Sequence, residues 1–303
     1  MKKTIKILIF ILIIAVAFGG CGNSAGTTST ELVTEEPTEE PTESPAEKAK
    51  KYNKSQLIQE INEIIEKKAG SWSVYVGIPT TDFKLTINNS SIRAASVIKL
   101  FNMVAFYNEL HNGSLDASDS LYKSLNSMIT VSSNTDSNVI VKAVGGGSFD
   151  EGAKKVTTLA HDMGCTDTQE QHQLYDVGGY AVGKNATSVR DCGAILTKLY
   201  EGECVSQQYD KEMIKLLKKQ TRDWKIPQGL PEGTVVANKT GEHSKAEWDV
   251  AIVYSPECDY VICVAVTDFG AANVYPGFAE ISKTVYEFFN YENMMPKPEQ
   301  TDR

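Results

Sequence analysis

The chain has 303 residues, 41% of them apolar, 23% charged and 9% aromatic, an ordinary globular balance that can bury a sizeable interior. Its formal net charge of −9 is spread unevenly, with +3 on residues 1–21 and −5 on residues 22–50, leaving −7 for the rest. Nothing in it makes a basic face, and no zinc-finger or RNA-binding spacing occurs, so nucleic acid is excluded as a partner.

Lys2, Lys3 and Lys6 form a short cationic start, and Ile7 to Phe18 is an unbroken apolar run. That run is short for a membrane span and suits the apolar region of a signal sequence. It ends in Ala17–Phe18–Gly19–Gly20–Cys21, which resembles the bacterial lipobox, so lipidation at Cys21 is expected; ordinary cleavage near Gly20 or Ala25 is the alternative. Either way the mature protein is expected at the extracellular face of a bacterial membrane, lipid-anchored or secreted. Residues 22–50, rich in Thr, Glu and Pro, cannot bury enough surface to offset their ordering entropy and read as a tether.

From Tyr52 to Lys68 apolar residues fall at Leu57, Ile61, Ile64 and Ile65, a helical period stopped by Gly70. Ser73 to Ile78 and Phe83 to Ile87 read as a hairpin around Thr80–Thr81–Asp82. From Ala94 to about Tyr200 the pattern is helical, broken at Gly113, at Gly145–Gly146–Gly147 and in a polar loop over residues 166–186. A helix over Asp210 to Lys219 follows, then strands at Thr234–Ala237, Val250–Tyr254 and Tyr260–Thr267 and an amphipathic helix from Phe278 to Phe289. The order predicts an α/β (α+β) fold: an antiparallel sheet flanked by N- and C-terminal helices, plus an all-α subdomain.

Six cysteines are present; with Cys21 lipidated, five remain, so any disulfide set leaves a free thiol. His111, His161, His172 and His243 are scattered, and neither they nor the cysteines show metal-ligand spacing. No metal and no cofactor is expected.

Three short motifs carry the chemistry. Ser96–Val97–Ile98–Lys99 puts a hydroxyl and an amine three residues apart on one helical face, where the amine can take the hydroxyl proton. Ser120–Leu121–Tyr122–Lys123 has the same spacing, but it stands among Asp116, Ser118 and Asp119 and reads as a surface or helix-start serine. Ser96 instead lies between Ala94–Ala95 and Leu100–Phe101, at the start of a buried helix, where free backbone N–H groups favour an oxyanion. Ser132–Ser133–Asn134 follows the apolar Met128–Val131. Lys239–Thr240–Gly241 follows strand-like residues, its lysine offering a cation and its glycine leaving room for a substrate backbone.

Together the three triplets resemble those of class A serine β-lactamases and penicillin-binding D,D-peptidases, S-x-x-K, S-D-N and K-T-G. The likeness covers about residues 53–290 and extends to Lys225–Pro231 and to Asn185–Asp191. It implies a β-lactamase/transpeptidase-like fold, with a catalytic domain over 51–292 (α/β parts about 51–93 and 207–292, a helical part about 94–206) and a tail at 293–303. It implies that Ser96 is the acylated nucleophile, Lys99 its general base or proton relay and Ser132 the proton donor to the leaving nitrogen. Asn134 would hold the substrate amide, Lys239, Thr240 and Gly241 its carboxylate end, and the N–H groups of Ser96 and Glu242 the oxyanion.

The sequence departs from the pattern in three ways. The second triplet is Ser-Ser-Asn, the stretch from Ser96 to Ser132 is short, and no E-x-x-L-N string occurs between Cys165 and Asn185. Glu170 and Asp176 are the candidates for a deacylating base, with a solvated loop carboxylate the favoured reading of each. Losing such a base costs about 10²–10⁴-fold in rate, or roughly 3–5 kcal/mol. The expected function is a β-lactamase-type hydrolase opening β-lactam amides, with slow deacylation. A D,D-peptidase or transpeptidase acting on peptidoglycan stems, and a non-hydrolytic penicillin- or wall-binding surface protein, are the alternatives. The expected partners are a small β-lactam or peptidoglycan-derived substrate and, through the lipid, a membrane; the chain is expected to be a monomer.

Overall fold

The computed structural model describes residue 44 and residues 52–175 and 184–290. The expected signal sequence with Cys21, the tether apart from residue 44, Asp176 and the tail 293–303 lie outside the described residues.

Helix α1 (Lys54–Ile65) is followed by strands β1 (Ser71–Gly77), β2 (Lys84–Ile87) and the two-residue β3 (Ile92–Arg93). A 3₁₀ turn (Ala95–Val97) runs straight into α2 (Ile98–His111), and α3 (Asp119–Thr130), α4 (Asn134–Val144) and α5 (Phe149–Asp162) follow. After β4 (Ala186–Thr187) come α6 (Val189–Glu201), α7 (Gln207–Leu217) and a second 3₁₀ turn (Ile226–Gly229). The chain then forms β5 (Val235–His243), β6 (Ala246–Tyr254), β7 (Tyr260–Thr267) and the closing helix α8 (Tyr275–Asn290). The five long strands form one antiparallel sheet in the order β2-β1-β7-β6-β5, so β5 is an edge; β3 pairs with β4 alone. This is the mixed α/β architecture that the element order predicts.

The sheet separates two apolar cores, and β7 shows how. Its Val261, Cys263 and Ala265 pack with Leu100, Val104 and Ile195 of α2 and α6. Its Tyr260, Ile262, Val264 and Val266 pack with Leu57 and Ile61 of α1 and with Phe278, Ile281 and Val285 of α8. A strand covered on both faces needs apolar residues at every position, which is why residues 260–266 are one continuous apolar run. Gly277 lets α8 press onto the sheet: a Cβ there would stand 2.5 Å from the Trp72 ring. Asn53 starts α1, its side-chain oxygen accepting from the N–H groups of Ser55 and Gln56.

Two strand expectations need correction. β5 runs to His243 rather than stopping at Ala237, and β6 starts at Ala246 rather than Val250. Asn238 to His243 and Ala246 to Asp249 mix polar, glycine and charged residues, so they lack an apolar signature, yet the nine-residue ladder holds them in register. The β3–β4 pair is absent from the sequence reading because two residues carry no periodicity. Cys165, Cys192, Cys204, Cys258 and Cys263 are all buried, and none is in a disulfide. Among the described residues no helix is long and apolar enough to cross a membrane.

Candidate active site

The segment carrying Ser96 is clamped from two sides. Trp248 of β6 donates its indole N–H to Arg93 O at 2.8 Å, and Ala94 N donates to Asn185 O at 2.8 Å. Between these anchors and α2 the chain must turn sharply. Ala95 does so at φ 46°, a left-handed conformation that costs a non-glycine residue about 1–2 kcal/mol. Ser96 then sits half-buried in the 3₁₀ turn, immediately before α2, and Lys99 lies fully buried in the first turn of that helix.

Lys99 is the hub. Its Nζ is 2.9 Å from Ser96 Oγ, 2.7 Å from Asn134 Oδ1, 3.3 Å from Ser132 Oγ and 2.6 Å from the Ser132 carbonyl oxygen. Ser132 holds a second left-handed conformation, φ 64°, between α3 and α4, which turns both its carbonyl and its hydroxyl toward the lysine. Ser133 caps α4 by accepting from Asp136 N, and so fixes where Asn134 enters that helix.

The opposite wall is β5. Lys239 Nζ donates to Ser132 Oγ at 2.9 Å and to Thr240 O at 2.8 Å. Burial pushes its ammonium well below the usual lysine range, and the cations of Lys99 and Arg222 push it further. Thr240 Oγ1 is buried and has no hydrogen-bond partner, which leaves an open polar position beside Lys239. Gly241 packs closely against the nucleophile turn: a Cβ would stand 3.2 Å from Ala94 O and 3.2 Å from Val97 Cγ1. Arg222 pairs with the Glu242 carboxylate and also donates toward Val131 O, so it links β5 to the end of α3.

Thus Ser96, Lys99, Ser132, Asn134, Lys239, Thr240 and Glu242, far apart in sequence, come to one place. Ser120 does not: it is exposed in the first turn of α3, whose cap is Ser118.

The loop after α5 departs from the sequence reading. Glu170 is no solvated carboxylate; only 5% of it is exposed. Burial lifts its pKa to about 8, against weaker opposing effects of the adjacent Asn102 amide and the Lys99 cation. Asn185 donates to Glu170 Oε1 at 3.3 Å, accepts from Gln171 N and His172 N, and donates to His172 O. Asn138 clasps Leu174 by both backbone groups, at 2.9 and 2.8 Å. Sequence reasoning assigned no role to Asn138, Asn185, Arg222, Lys225 or Trp248. Asn185 and Lys225 lie in stretches quoted for their family likeness, which was the one signal available.

A serine joined to an amine, a second hydroxyl joined to a second lysine, and an edge strand beside both can support acyl transfer. The sequence matches the profile of the beta-lactamase enzyme family over residues 56–124 and 120–289. Comparison with curated proteins gives no match. Among solved structures, the beta-lactamase from Sphaerobacter thermophilus DSM 20745 aligns with a TM-score of 0.69 at 18% identity, over 81% of this chain and all 100% of that one. A mutant of PBP-A, solved as an acyl-enzyme complex with penicillin-G, aligns at 0.68 and 22% identity, over 78% of this chain and 97% of that one. The extended-spectrum beta-lactamase TLA-3 aligns at 0.68 and 20% identity, over 78% and 99%. At these identities the structural likeness carries the fold, and the profile match carries the family. The chain belongs to the beta-lactamase enzyme family.

Proposed function

We propose that the protein is a serine hydrolase that opens β-lactam amides through an acyl-enzyme on Ser96 and releases the product slowly. The observation that carries this reading is the unbroken polar chain Ser96 Oγ–Lys99 Nζ–Ser132 Oγ–Lys239 Nζ, with contacts of 2.9, 3.3 and 2.9 Å. In the reaction Lys99, as the free amine, takes the Ser96 proton while Oγ attacks the amide carbon. The developing oxyanion lies between the N–H groups of Ser96 and Glu242. Ser132, accepting from Lys239, passes its own proton to the leaving nitrogen and is refilled from Lys99. Asn134 holds the acyl side of the substrate, and Lys239, Thr240 and Gly241 line its carboxylate end.

Release needs a base that can activate water. A carboxyl with a pKa of about 8 is roughly nine-tenths protonated at pH 7 and accepts a proton poorly. This favours slow turnover, and it also supports a second reading in which the natural acyl donor is a peptidoglycan stem peptide and the protein is a D,D-peptidase. Export, with lipidation at Cys21 and attachment to the outer face of the membrane, completes the proposal: both substrates lie outside the cytoplasm.

Incubation with a fluorescent penicillin, followed by intact-mass measurement alongside a chromogenic cephalosporin, tests it. A Ser96 adduct with measurable cephalosporin opening is the expected result. A long-lived adduct without opening assigns the peptidase reading. Absence of both adduct and turnover would overturn acylation altogether.

A further inference from the structure

Beneath β5 lies a cation that the acylation chemistry above does not use. Lys225, just before the second 3₁₀ turn, is 0% exposed. Its Nζ is 2.7 Å from Glu247 Oε2, 3.2 Å from Gly241 O and 2.9 Å from Trp248 O. Tyr275 and Phe278 of α8 present their rings to it at 5.3 and 5.4 Å. Asp249 is the next carboxylate on β6, bound by Asn238 and by Ile226 N. A lysine this deep is costly unless paired and hydrogen-bonded, and Glu247 with the two carbonyl oxygens supplies both.

The peptide plane shows what it serves. Gly241 and Trp248 are partners across the β5–β6 ladder, and one ammonium reaches both carbonyl oxygens, so both face the gap between these strands. A trans peptide is planar, with its C=O and N–H pointing opposite ways. With Gly241 C=O turned toward β6, the N–H of Glu242 points off the open edge of β5, into the cleft. The same peptide bond therefore carries a buried cation on its oxygen and the cleft donor on its nitrogen. A charge-assisted bond to a carbonyl draws electron density from the amide and strengthens its N–H as a donor.

We infer that Lys225 is a positioning residue for the oxyanion site, holding the Gly241–Glu242 peptide in orientation and polarising it so that Glu242 N–H donates more strongly to the developing oxyanion. This rests on the reading that Ser96 is acylated with Glu242 N–H as an oxyanion donor. Lys225 touches no substrate; Glu247 fixes its ammonium, and the Glu242 carboxylate, paired with Arg222, stands 3.9 Å from it.

The test uses Lys225→Gln combined with Glu247→Gln, so that the ammonium and the carboxylate paired with it at 2.7 Å are removed together, with Lys225→Arg as the conservative control. Acylation by penicillin is followed by stopped flow, and the ester carbonyl of the adduct by infrared difference spectroscopy. The inference expects the double variant to acylate about tenfold more slowly at unchanged penicillin affinity, since losing a whole oxyanion donor costs about 10²–10³-fold. Its ester band should move to higher wavenumber, and Lys225→Arg should stay within about threefold of wild type with its band unmoved. A folded double variant with wild-type rate and band overturns the inference while leaving acylation intact; a wild-type protein that forms no adduct overturns the underlying reading instead.

Should the double variant not fold, the wild-type chain still decides. Gly–Glu occurs only at Gly202–Glu203 and Gly241–Glu242, so ¹³C′-glycine and ¹⁵N-glutamate labelling isolates two peptides. The Gly241 carbonyl resonance should lie downfield of that of Gly202. Coincident resonances would sink the proposal.

Discussion

The two regions that meet at Ser96 are built on opposite terms. Around Lys99 and Lys239 the polar groups reach one another across three separate chain segments, within 2.6–3.3 Å, and Ser96 stays half-buried rather than enclosed. In the loop after α5 the polar groups are turned inward: Glu170 is buried against Asn102 and Asn185, and Asn138 grips the backbone of Leu174. On the acyl-enzyme reading proposed above, the first region serves proton transfer and the second holds a loop in shape, so that one cleft favours forming an ester over breaking it.

The most severe way to break this contrast is at the nucleophile. Ser96→Ala should abolish the penicillin adduct by intact mass, and Ser120→Ala should label like wild type; labelling of the Ser96→Ala protein would move the chemistry elsewhere. Lys99→Met comes next and should slow adduct formation by about 10²–10⁴-fold while a folded circular dichroism melt is kept. An unchanged rate would remove Lys99 from the proton path.

The loop is tested through pH. Glu170 has a folded pKa of about 8, above the value of about 4.3 ordinary for an unfolded chain, so between these values the folded state holds the extra proton. Stability gained from this group is therefore full below about pH 4 and is lost as pH rises to about 8, at up to about 1.4 kcal/mol per unit. Glu170→Gln should flatten that slope in denaturant titrations and leave adduct lifetime at pH 7 within about twofold. A shorter-lived adduct in wild type above pH 8, absent from Glu170→Gln, would assign the ionised carboxylate to hydrolysis. The smallest effect is expected at the seam between the regions: Gly241→Ala pushes a methyl against Ala94 O and should cost about 1–3 kcal/mol in melts, with a few-fold loss of acylation rate. A neutral substitution would show that β5 does not press on the nucleophile turn.

What the sequence made legible follows the same division. Ser96 and Lys99 stand three residues apart where a 3₁₀ turn runs into α2, and the local apolar pattern placed that helix start, so their pairing needed no long-range knowledge. The element order was equally readable, because α1 and α8 announce their buried faces by period and β7 by its unbroken apolar run. Ser132 and Lys239, 107 residues apart, meet only because β5 forms the sheet edge next to the helical part, and no local pattern encodes that meeting. Glu170 was misjudged because a glutamate in a polar loop looks solvated; its burial depends on Asn102 and Asn185, on other segments. Lys225 and Trp248 act through backbone oxygens, which leave no mark on side-chain patterns.

The five buried thiols make the protein its own unfolding clock. Desolvation raises the pKa of each of Cys165, Cys192, Cys204 and Cys263, that of Cys165 to about 12, so in the closed fold an alkylating reagent finds no thiolate to attack. These four line the core on the α2 and α6 side of the sheet, whereas Cys258 lies in the core beneath α1 and α8. Pulsed alkylation read by peptide mass thus times the opening of each face separately, with no residue changed. Equal clocks would mean that the sheet and both its coverings come apart as one cooperative unit.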